Sequence, residues 1–501
     1  MTSGLSDAFT ATLSRIKGQP GALARYGISA LMWISLAERP LLIEELCHAL
    51  AVEVEPPNFD PEMVPTIETV VASCMGLVTI DHASSTVRLV HATLKEYLCS
   101  HQDSVFQDPH ATIAEVCLSY LSLQSVREIL PNLQTIPHGF PLLSYASCHW
   151  GAHAQKDLTV RVRQLALGIL DYIQHVVANI SFSFEEDIWY WGRDSAGWSG
   201  LHYVAYFGLN EISERLLAMG QGDINQGGRR GRTPLHLAAG RGNEGVVKTL
   251  LTCADVNPIA RNFHKETPLH VASLNGHEGV VRILLRHVNV NPNLTDDDGC
   301  TPLFRASANC HEGVVKILLS HADVNPDLTG WRGRTPLSIA SCLGYGEVVK
   351  ILLSHADVNL NSVDRNGETP LLHASLHDHE GVVRILLSRP DLSPNLADYC
   401  GETPLFQACA RDSGEVVMAL LSRADVNPNL ANNRGKTPLS IAAENGNEGV
   451  VMILLSHPDI NPNLANEDGQ TALSRAVRNG HEGVVRMLKF RTNASPGLGH
   501  W

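Results

Sequence analysis

The chain has 501 residues, of which 44% are hydrophobic, and its formal net charge is −14. A chain of this length is expected to form two or more structural units. Residues 1–198 carry 11 Lys and Arg against 21 Asp and Glu, and the remainder carries 27 against 31. Neither part has the basic excess that binding to a nucleic-acid backbone needs, so we expect no nucleic-acid partner.

The cysteines and the apolar runs indicate the compartment. The 11 cysteines are scattered along the chain without a Cys-x-x-Cys pair, which is typical of free thiols in a reducing compartment. No apolar run approaches the ~20 residues of a membrane span, and the start MTSGLSDAFTATLSRIKG lacks the pattern of a secretory signal. We therefore expect a cytoplasmic protein, with the nucleus as the alternative, and no membrane partner.

Residues 1–105 are predicted to form a winged helix. Residues 5–36 alternate polar and apolar side chains at helical spacing, and LLIEELCHAL (41–50) and residues 66–74 add two helices around a proline-rich loop. LVTID and VRLVH, joined by a turn at residues 83–85, predict a β-hairpin, and ATLKEYL closes the unit as a helix. The helix that would enter DNA, PTIETVVASCM, has no Lys or Arg, so DNA reading is not expected. Residues 106–193 are predicted to be a helical linker.

From residue 194 to residue 490 the sequence repeats every 34 residues, which predicts a solenoid of nine units. Thr471-Ala-Leu and Ser199-Gly-Leu keep the phase of a Thr-Pro-Leu motif that marks the other seven units. The threonines of that motif are Thr233, Thr267, Thr301, Thr335, Thr369, Thr403 and Thr437. Residues 491–501 lack periodicity and are predicted to be a mobile tail.

Each unit carries the start and stop signals of two short helices. In the unit GRTPLHLAAGRGNEGVVKTLL (231–251), Thr233 can cap a helix and Pro234 suits its first turn. Gly242 is placed to end that helix in a left-handed conformation, and a stripe of Val and Leu predicts the second helix. Two antiparallel helices and a protruding turn result. Three units have another residue at the position of Gly242, namely Cys310, Asp378 and Asp412.

The segments TPLHLAA, GHEGVVRILL and ADVNPN resemble ankyrin repeats over about residues 194–490. The tetratricopeptide repeat has the same length but lacks TPLH and the DVN turn. These units exceed the usual ankyrin length of about 33 residues because an extra residue accompanies Asn-Pro in the turn after the second helix. The resemblance implies a mainly α solenoid with protruding β-turns and a non-catalytic role in protein binding.

The first part of the chain resembles the winged-helix module that follows the NACHT nucleotide-binding domain in fungal NACHT–ankyrin proteins, which are relatives of the animal NLR receptors. The matching segments are ALMWISLAERPLLIEELCHAL, CMGLVTID and VRLVHATLKEYL, and EVCLSYLSL and PLLSYASCHWGAHA of the linker continue the resemblance. Residues 5–19 look like the last helix of a NACHT domain. The resemblance implies an alternative function: the sensor half of an NLR-like, nucleotide-dependent switch whose NACHT domain is missing or supplied in trans.

In that family a winged-helix histidine contacts the phosphate of the bound nucleotide, and His91 of VRLVHATLKEYL matches its position. The alternative is a histidine that is simply hydrogen-bonded at a strand end. The phosphate-binding pattern G-x-x-x-x-G-K-[ST] is absent, because Gly435-Lys436-Thr437 is preceded by Leu430 where the first glycine is needed. A nucleotide at His91 would therefore belong to another polypeptide, and we expect no cofactor bound by this chain alone.

Metal sites and enzyme activity are not expected. Many of the 24 histidines recur at fixed repeat positions, and helices about 8–10 Å apart place such residues poorly for a metal ion with bonds of about 2 Å. His202, His236 and His270 follow the capping residue, where each imidazole can bridge its helix to a neighbouring turn. The run Asp296-Asp297-Asp298 lacks the spacing of a calcium loop, and G-x-S-x-G and H-E-x-x-H are absent.

The repeat turns are the best candidate for a functional surface, because they protrude and vary between units. Trp, Tyr and Arg are the residue types enriched at interaction hot spots. We expect a non-catalytic scaffold that binds protein partners through these turns and the inner helices and that is a monomer by itself. The candidate binding residues are Phe263, Trp331, Arg332, Arg365, Tyr399 and Arg434.

Overall fold

This computed structural model describes residues 3–54, 57–129, 139–170, 197–220, 222–228 and 230–493. The chain forms two compact bodies, Met1–Phe263 and His264–Trp501. Both bodies are built mainly of helices, and the few strands are short. The mainly α fold predicted from the sequence is therefore confirmed.

The first body begins with helices arranged around a β-hairpin. Its helices are α1 (Ser3–Lys17), α2 (Ala22–Leu36), α3 (Ile43–Ala51), α4 (Ile67–Ser73) and α5 (Ala92–Ser100). Its strands are β1 (Glu53–Val54), β2 (Pro57–Asn58), β3 (Val78–Asp81) and β4 (Thr86–Leu89), and β3 pairs with β4 antiparallel as predicted. Thr66 caps α4 by accepting the N–H of Thr69, and the Asp81 carboxylate accepts the N–H of Ala83 in the hairpin turn.

Two details of this region differ from the sequence-based prediction. Residues 5–36 form two helices rather than one continuous stretch, since the chain turns at Gly18-Gln19-Pro20-Gly21, where Gly21 has φ +62° and a proline interrupts helical hydrogen bonding. The proline-rich loop also contains the short antiparallel pair β1–β2 and a 3₁₀ turn at Pro61–Met63. Two-residue strands give no periodic signal that a sequence could show.

Helix α6 (Gln102–Val105) lies at the end of the predicted winged helix. The predicted linker contains α7 (Pro109–Ser122), α8 (Gln124–Ile129), α9 (Leu143–Lys156) and α10 (Val160–Leu170). The buried Tyr145 on α9 accepts the backbone N–H of Glu38 through its hydroxyl, at 3.1 Å. The ring of Trp150, also buried, lies 5.7 Å from that of Phe207 in the first repeat. Residues 130–138 and 171–193 of the predicted linker lie outside the described residues.

Nine helix pairs follow within the described residues, and we call them repeats 1 to 9; repeats 1 and 2 belong to the first body and repeats 3 to 9 to the second. The first helices are Gly200–Phe207, Pro234–Arg241, Pro268–Leu274, Pro302–Ala308, Pro336–Cys342, Pro370–Leu376, Pro404–Ala410, Pro438–Asn445 and Ala472–Arg478. The second helices are Asn210–Ala218, Glu244–Leu251, Glu278–Leu285, Glu312–Leu319, Gly346–Leu353, Glu380–Leu387, Gly414–Leu421, Glu448–Ser456 and Glu482–Asn493. The last helix extends three residues beyond residue 490, and residues 494–501 of the predicted tail lie outside the described residues.

The repeats form for the local reasons that the sequence indicated. In repeat 4, the hydroxyl of Thr301 accepts the N–H of Phe304, and Pro302 occupies the first helical position. Val314, Val315 and Leu318 of the second helix are buried. Positive φ is found where the first helix ends, both at glycines such as Gly242 and at Cys310, Asp378 and Asp412, whose φ angles are 59°, 58° and 60°. The predicted left-handed conformation is confirmed in all of them.

Asparagine side chains in the turn after the second helix hold neighbouring repeats together. Asn293 donates from Nδ2 to the carbonyl oxygen of Asp323 and accepts the N–H of Asn325, at 2.6 and 2.9 Å. Asn361, Asn395 and Asn429 make the same pair of bonds to the following repeat. The lengthened turn therefore forms a ladder of asparagine side chains along the second body.

Candidate protein-binding surface

The turns that precede the first helices are joined to one another through their backbones. The N–H of Arg365 donates to the carbonyl oxygen of Arg332 at 3.1 Å, and the N–H of Tyr399 donates to that of Asn366 at 3.0 Å. The N–H of Asn433 continues the series to Cys400 at 2.9 Å. We call residues 331–334, 365–366, 399–400 and 433–434 the turn surface. The structure thus brings together five of the six candidate binding residues on one row of adjacent turns.

Within each turn an Asp or Asn side chain fixes the backbone. Asp364 accepts the N–H groups of Asn366 and Glu368 with one carboxylate oxygen, at 2.8 and 3.0 Å. Asp398 and Asn432 make the equivalent pairs of bonds in the next two turns. Short polar side chains that bond to their own backbone favour such turns. These bonds to the backbone hold each turn in place and do not use the side chains of Arg365, Tyr399 or Arg434.

Trp331 stands at the first of these tips with 45% of its surface exposed. The Arg332 guanidinium lies 4.4 Å from the indole centre and that of Arg334 lies 5.7 Å away, both within the range of cation–π attraction. The backbone N–H of Trp331 donates to the sulfur of Cys300 at 3.4 Å. Arg332 has φ +59°, a strained conformation for a residue other than glycine. The indole is thus a fixed platform flanked by two positive charges.

The other tip residues of the second body are more exposed. Tyr399 has 69% of its surface exposed, and Arg365 and Arg434 are also exposed. Among the described residues, neither arginine makes an ion pair or a side-chain hydrogen bond. Phe263 is 73% exposed and belongs to the first body, where its N–H donates to the carbonyl oxygen of Arg230 at 2.9 Å. All six residues are therefore accessible, and five of them lie on the turn surface.

A buried polar network lies beneath the turn surface, and sequence reasoning missed it. The second oxygen of Asp364 accepts from Arg334 Nε at 3.4 Å and from His373 Nε2 at 3.1 Å. Burial lowers the pKa of His373 to about 4 and raises that of Glu368. Arg334 and Asp364 are thirty residues apart, which is one repeat less four. This separation, close to the length of one repeat, is the sequence feature that could have indicated a contact between neighbouring turns.

Among the residues that the structure describes, two groups have the donor types of a metal site, and the carboxylates of each group contact an arginine. Asp364, Glu368 and His373 surround the guanidinium of Arg334. In the triple-aspartate turn, Asp296 and Asp298 pair with Arg305 at 2.7 and 2.9 Å. The guanidinium supplies the positive charge that these carboxylates require. Asp297 and Asp298 lie in the turn that precedes the first helix of repeat 4.

The repeat-phased histidines have structural roles. His202 and His270 each accept a backbone N–H at the start of their own helix, and each donates from Nε2 to a carbonyl oxygen of the next turn at 3.1 Å. The predicted bridge is confirmed in these two repeats. His311, His379 and His481 donate to the end of the preceding first helix, at 2.8, 3.0 and 2.9 Å. This second role was not foreseen.

His91 caps α5 of the winged helix, because its Nδ1 accepts the N–H of Thr93 at 3.2 Å. It borders a cavity of about 360 Å³ that is also lined by Glu38, Arg39, Arg88 and Lys95. Arg39 pairs with Glu45 at 2.6 Å and Arg88 with Asp81 at 2.9 Å. His91 is thus hydrogen-bonded next to the end of a strand, and the cavity that it borders is lined by the cationic Arg39, Arg88 and Lys95 together with the acidic Glu38.

The second body also has a groove of about 520 Å³ lined mainly by Met452, Leu455, Met487 and Phe490 of repeats 8 and 9. Phe490 is 80% exposed. This apolar groove is a second candidate site for binding a protein partner. No helix in the described part of the chain is long and apolar enough to cross a membrane.

Comparison with known families agrees with these observations. The ankyrin-repeat family, described as "Ankyrin repeats (3 copies)", matches residues 186–262, 254–329, 288–364, 322–398, 356–429 and 405–497. Together these matches cover more than half of the chain, which therefore belongs to the ankyrin-repeat family. Residues 17–108 match a second family, "GPI inositol-deacylase, winged helix domain".

Among solved structures, the chain is similar to the ankyrin repeat domain of Bcl-3, described as a unique member of the IkappaB protein family. The identity is 23%, the TM-score is 0.42, and the similarity covers 45% of this chain and 98% of that one. The comparison with curated proteins found no match.

Proposed function

We propose that this chain is a non-catalytic scaffold that binds protein partners through the turn surface and the adjoining first helices. The ankyrin-repeat fold is typical of protein interaction and is generally non-catalytic. In this proposal residues 1–105 form the winged helix, residues 106–193 a linker, residues 194–490 the binding solenoid and residues 491–501 a tail. The chain acts as a monomer in the cytoplasm or nucleus, and its 11 free cysteines fit a reducing compartment.

The observation that carries the proposal is the half-exposed indole of Trp331, fixed beside Arg332 and Arg334 in the same row of turns as Tyr399. Aromatic and Arg side chains held in place bind partners at low entropic cost, because little freedom remains to be lost. Phe263 offers the same kind of side chain in the first body.

The test is affinity purification from native cells with wild-type protein, Trp331→Ala and the matched control Phe490→Ala. The control also removes an exposed aromatic ring from the second body, but outside the turn surface. We expect Trp331→Ala to lose the main partner and Phe490→Ala to keep it, with both variants folded by circular dichroism. If Trp331→Ala retains the main partner in full and Phe490→Ala loses it, the partner binds at the apolar groove and not at the turn surface.

A second function is favoured by the cavity beside His91. Its lining includes the cationic side chains of Arg39, Arg88 and Lys95, which suit a phosphate group, as the resemblance to fungal NACHT–ankyrin proteins implies for a nucleotide held by another polypeptide. In that case complexes captured from native cells should retain ATP with the wild-type chain and lose it with His91→Ala. Equal amounts of ATP in the complexes captured with the wild type and with His91→Ala would contradict this second function.

A further inference from the structure

The exposed charge at the turn tips changes sign twice along the second body. The tips at residues 297–298 and 467–468 are Asp-Asp and Glu-Asp, and all four side chains are exposed. The four tips between them are Trp-Arg, Arg-Asn, Tyr-Cys and Asn-Arg, with no acidic residue at either tip position. The turn surface is therefore a positive, aromatic strip of four repeats with an acidic turn at each end.

The acidic groups beneath the strip do not neutralise its tip arginines. Both oxygens of Asp364 are engaged, one by two backbone N–H groups and the other by Arg334 and His373. Asp398 accepts the N–H groups of Cys400 and Glu402, at 2.9 and 2.8 Å. Since the nearby carboxylates are directed at the backbone or at buried partners, the guanidiniums of Arg332, Arg365 and Arg434 remain available to carboxylates of another molecule.

The spacing of these arginines fits an extended chain. Helices of neighbouring repeats stack at about 8–10 Å, so Arg365 and Arg434, which lie two turns apart, are separated by roughly 20 Å. Arg332 lies next to Arg365, because the backbone N–H of Arg365 donates to the carbonyl oxygen of Arg332. A polyproline-II segment advances about 3.1 Å per residue, which places a side chain beside each successive repeat every third residue. Trp331 beside Arg332 and Tyr399 in the turn between those of Arg365 and Arg434 offer apolar contact, and an indole or phenol ring packs well against proline and leucine.

We propose that the occupant of the turn surface is an extended acidic peptide segment of a partner protein, with carboxylates about three residues apart and apolar residues between them. This inference rests on the proposed function and specifies the partner of the same surface. Arg binds carboxylates through paired, charge-assisted hydrogen bonds. The acidic turns at both ends repel a longer acidic segment and so confine the footprint to four repeats.

The test uses fluorescence anisotropy with the full chain and a labelled 12-residue peptide of four Glu-Leu-Pro units. The corresponding Gln-Leu-Pro and Lys-Leu-Pro peptides and a 12-nucleotide single-stranded RNA are the comparison probes. We expect the Glu peptide to bind at least ten-fold more tightly than the Gln peptide, with affinity falling as salt rises, and the Lys peptide and RNA not to bind.

Two triple variants separate the strip from the overall charge of the protein. Arg332→Glu, Arg365→Glu and Arg434→Glu together should weaken binding of the Glu peptide at least ten-fold. The control, with the same change at Arg286, Arg411 and Arg478, alters charge equally at exposed positions outside the turn surface and should change affinity less than two-fold. Circular dichroism checks that both variants are folded.

Equal binding of the Glu and Gln peptides, or equal weakening by both triple variants, would overturn the inference. If RNA binds the wild type and not the triple variant of Arg332, Arg365 and Arg434, the ligand of the turn surface is a nucleic acid and not an acidic peptide. If Trp331→Ala loses its partner in native cells but the Glu peptide does not bind, the acidic peptide is excluded and the protein-binding turn surface stands. If the Glu peptide binds while Trp331→Ala keeps every native partner, the peptide chemistry stands and the proposed scaffold role of this surface fails.

Discussion

Gly446 and Gly449 lie three residues apart in repeat 8, and replacing each with alanine should have opposite effects on stability. Gly446 ends the first helix with φ +79°, and a Cβ atom there would lie 2.6 Å from Nδ1 of His481. That ring is held by a hydrogen bond from its Nε2 to the carbonyl oxygen of Glu444, at 2.9 Å. Gly449 lies within the second helix, and a Cβ atom there would meet nothing within 4 Å.

The magnitudes follow from these surroundings. A non-glycine residue in the left-handed region costs about 1–2 kcal/mol, and displacing His481 loses a hydrogen bond worth about 1 kcal/mol. Alanine also has less conformational entropy than glycine in the unfolded chain, which stabilises the folded state by up to about 1 kcal/mol. Gly446→Ala should therefore destabilise repeat 8 by about 2 kcal/mol. Gly449→Ala should stabilise it by about 0.5–1 kcal/mol, because alanine is the better helix former.

Hydrogen–deuterium exchange measured on peptides of repeats 8 and 9 is the suitable assay, because repeat arrays open locally. A loss of about 2 kcal/mol corresponds to exchange that is about 30-fold faster, since 1.4 kcal/mol is ten-fold. His481→Ala removes the ring, so adding Gly446→Ala to it should cost about 1 kcal/mol less than in the wild type. Unchanged exchange in Gly446→Ala, or equal acceleration by Gly449→Ala, would refute the packing argument.

Three further predictions concern stability and binding. His373 is neutral in the folded protein, because its pKa is about 4 there against 6.5 in the unfolded chain. The free energy of unfolding of the wild type should therefore fall by roughly 3 kcal/mol as the pH falls from 6.5 to 4. His373→Gln, which copies Gln407 of the next repeat, should show a decrease smaller by that amount in urea titrations at pH 7 and pH 4.5. Trp331→Ala should cost less than about 1 kcal/mol, whereas Leu318→Ala, in the buried stripe, should cost about 2–5 kcal/mol; similar urea midpoints for both would contradict this. Calorimetry of the chain alone should detect no ATP or GTP binding, because the phosphate-binding glycine loop is absent, and micromolar affinity would show that another loop replaces it.

The repeat architecture could be predicted from the sequence because each unit repeats its own local signals. Thr301 and Pro302 start a helix without help from distant residues, and Cys310 takes the left-handed conformation that glycine has elsewhere. The exposure of Trp331 and Tyr399 also followed from their place in a turn.

The features that the sequence did not reveal depend on how neighbouring repeats align in space. The contact of Arg334 with Asp364 and His373 joins adjacent turns, and no local pattern marks either partner as buried. The asparagine ladder also connects one repeat to the next, as from Asn293 to Asp323. A period of 34 residues shows that such positions recur, but the bonds between them depend on the stacking geometry.

The central claim is that a partner contacts the turn surface, and site-specific photo-crosslinking tests it most directly. A benzophenone amino acid placed at Tyr399, or at Phe490 as the control, puts the same reactive group at two exposed aromatic positions of the second body. After illumination in native cells, we predict a covalent adduct of a partner protein from position 399 and none from position 490. Adducts from position 490 alone, or from neither position while the partner still co-purifies, would contradict binding at the turn surface.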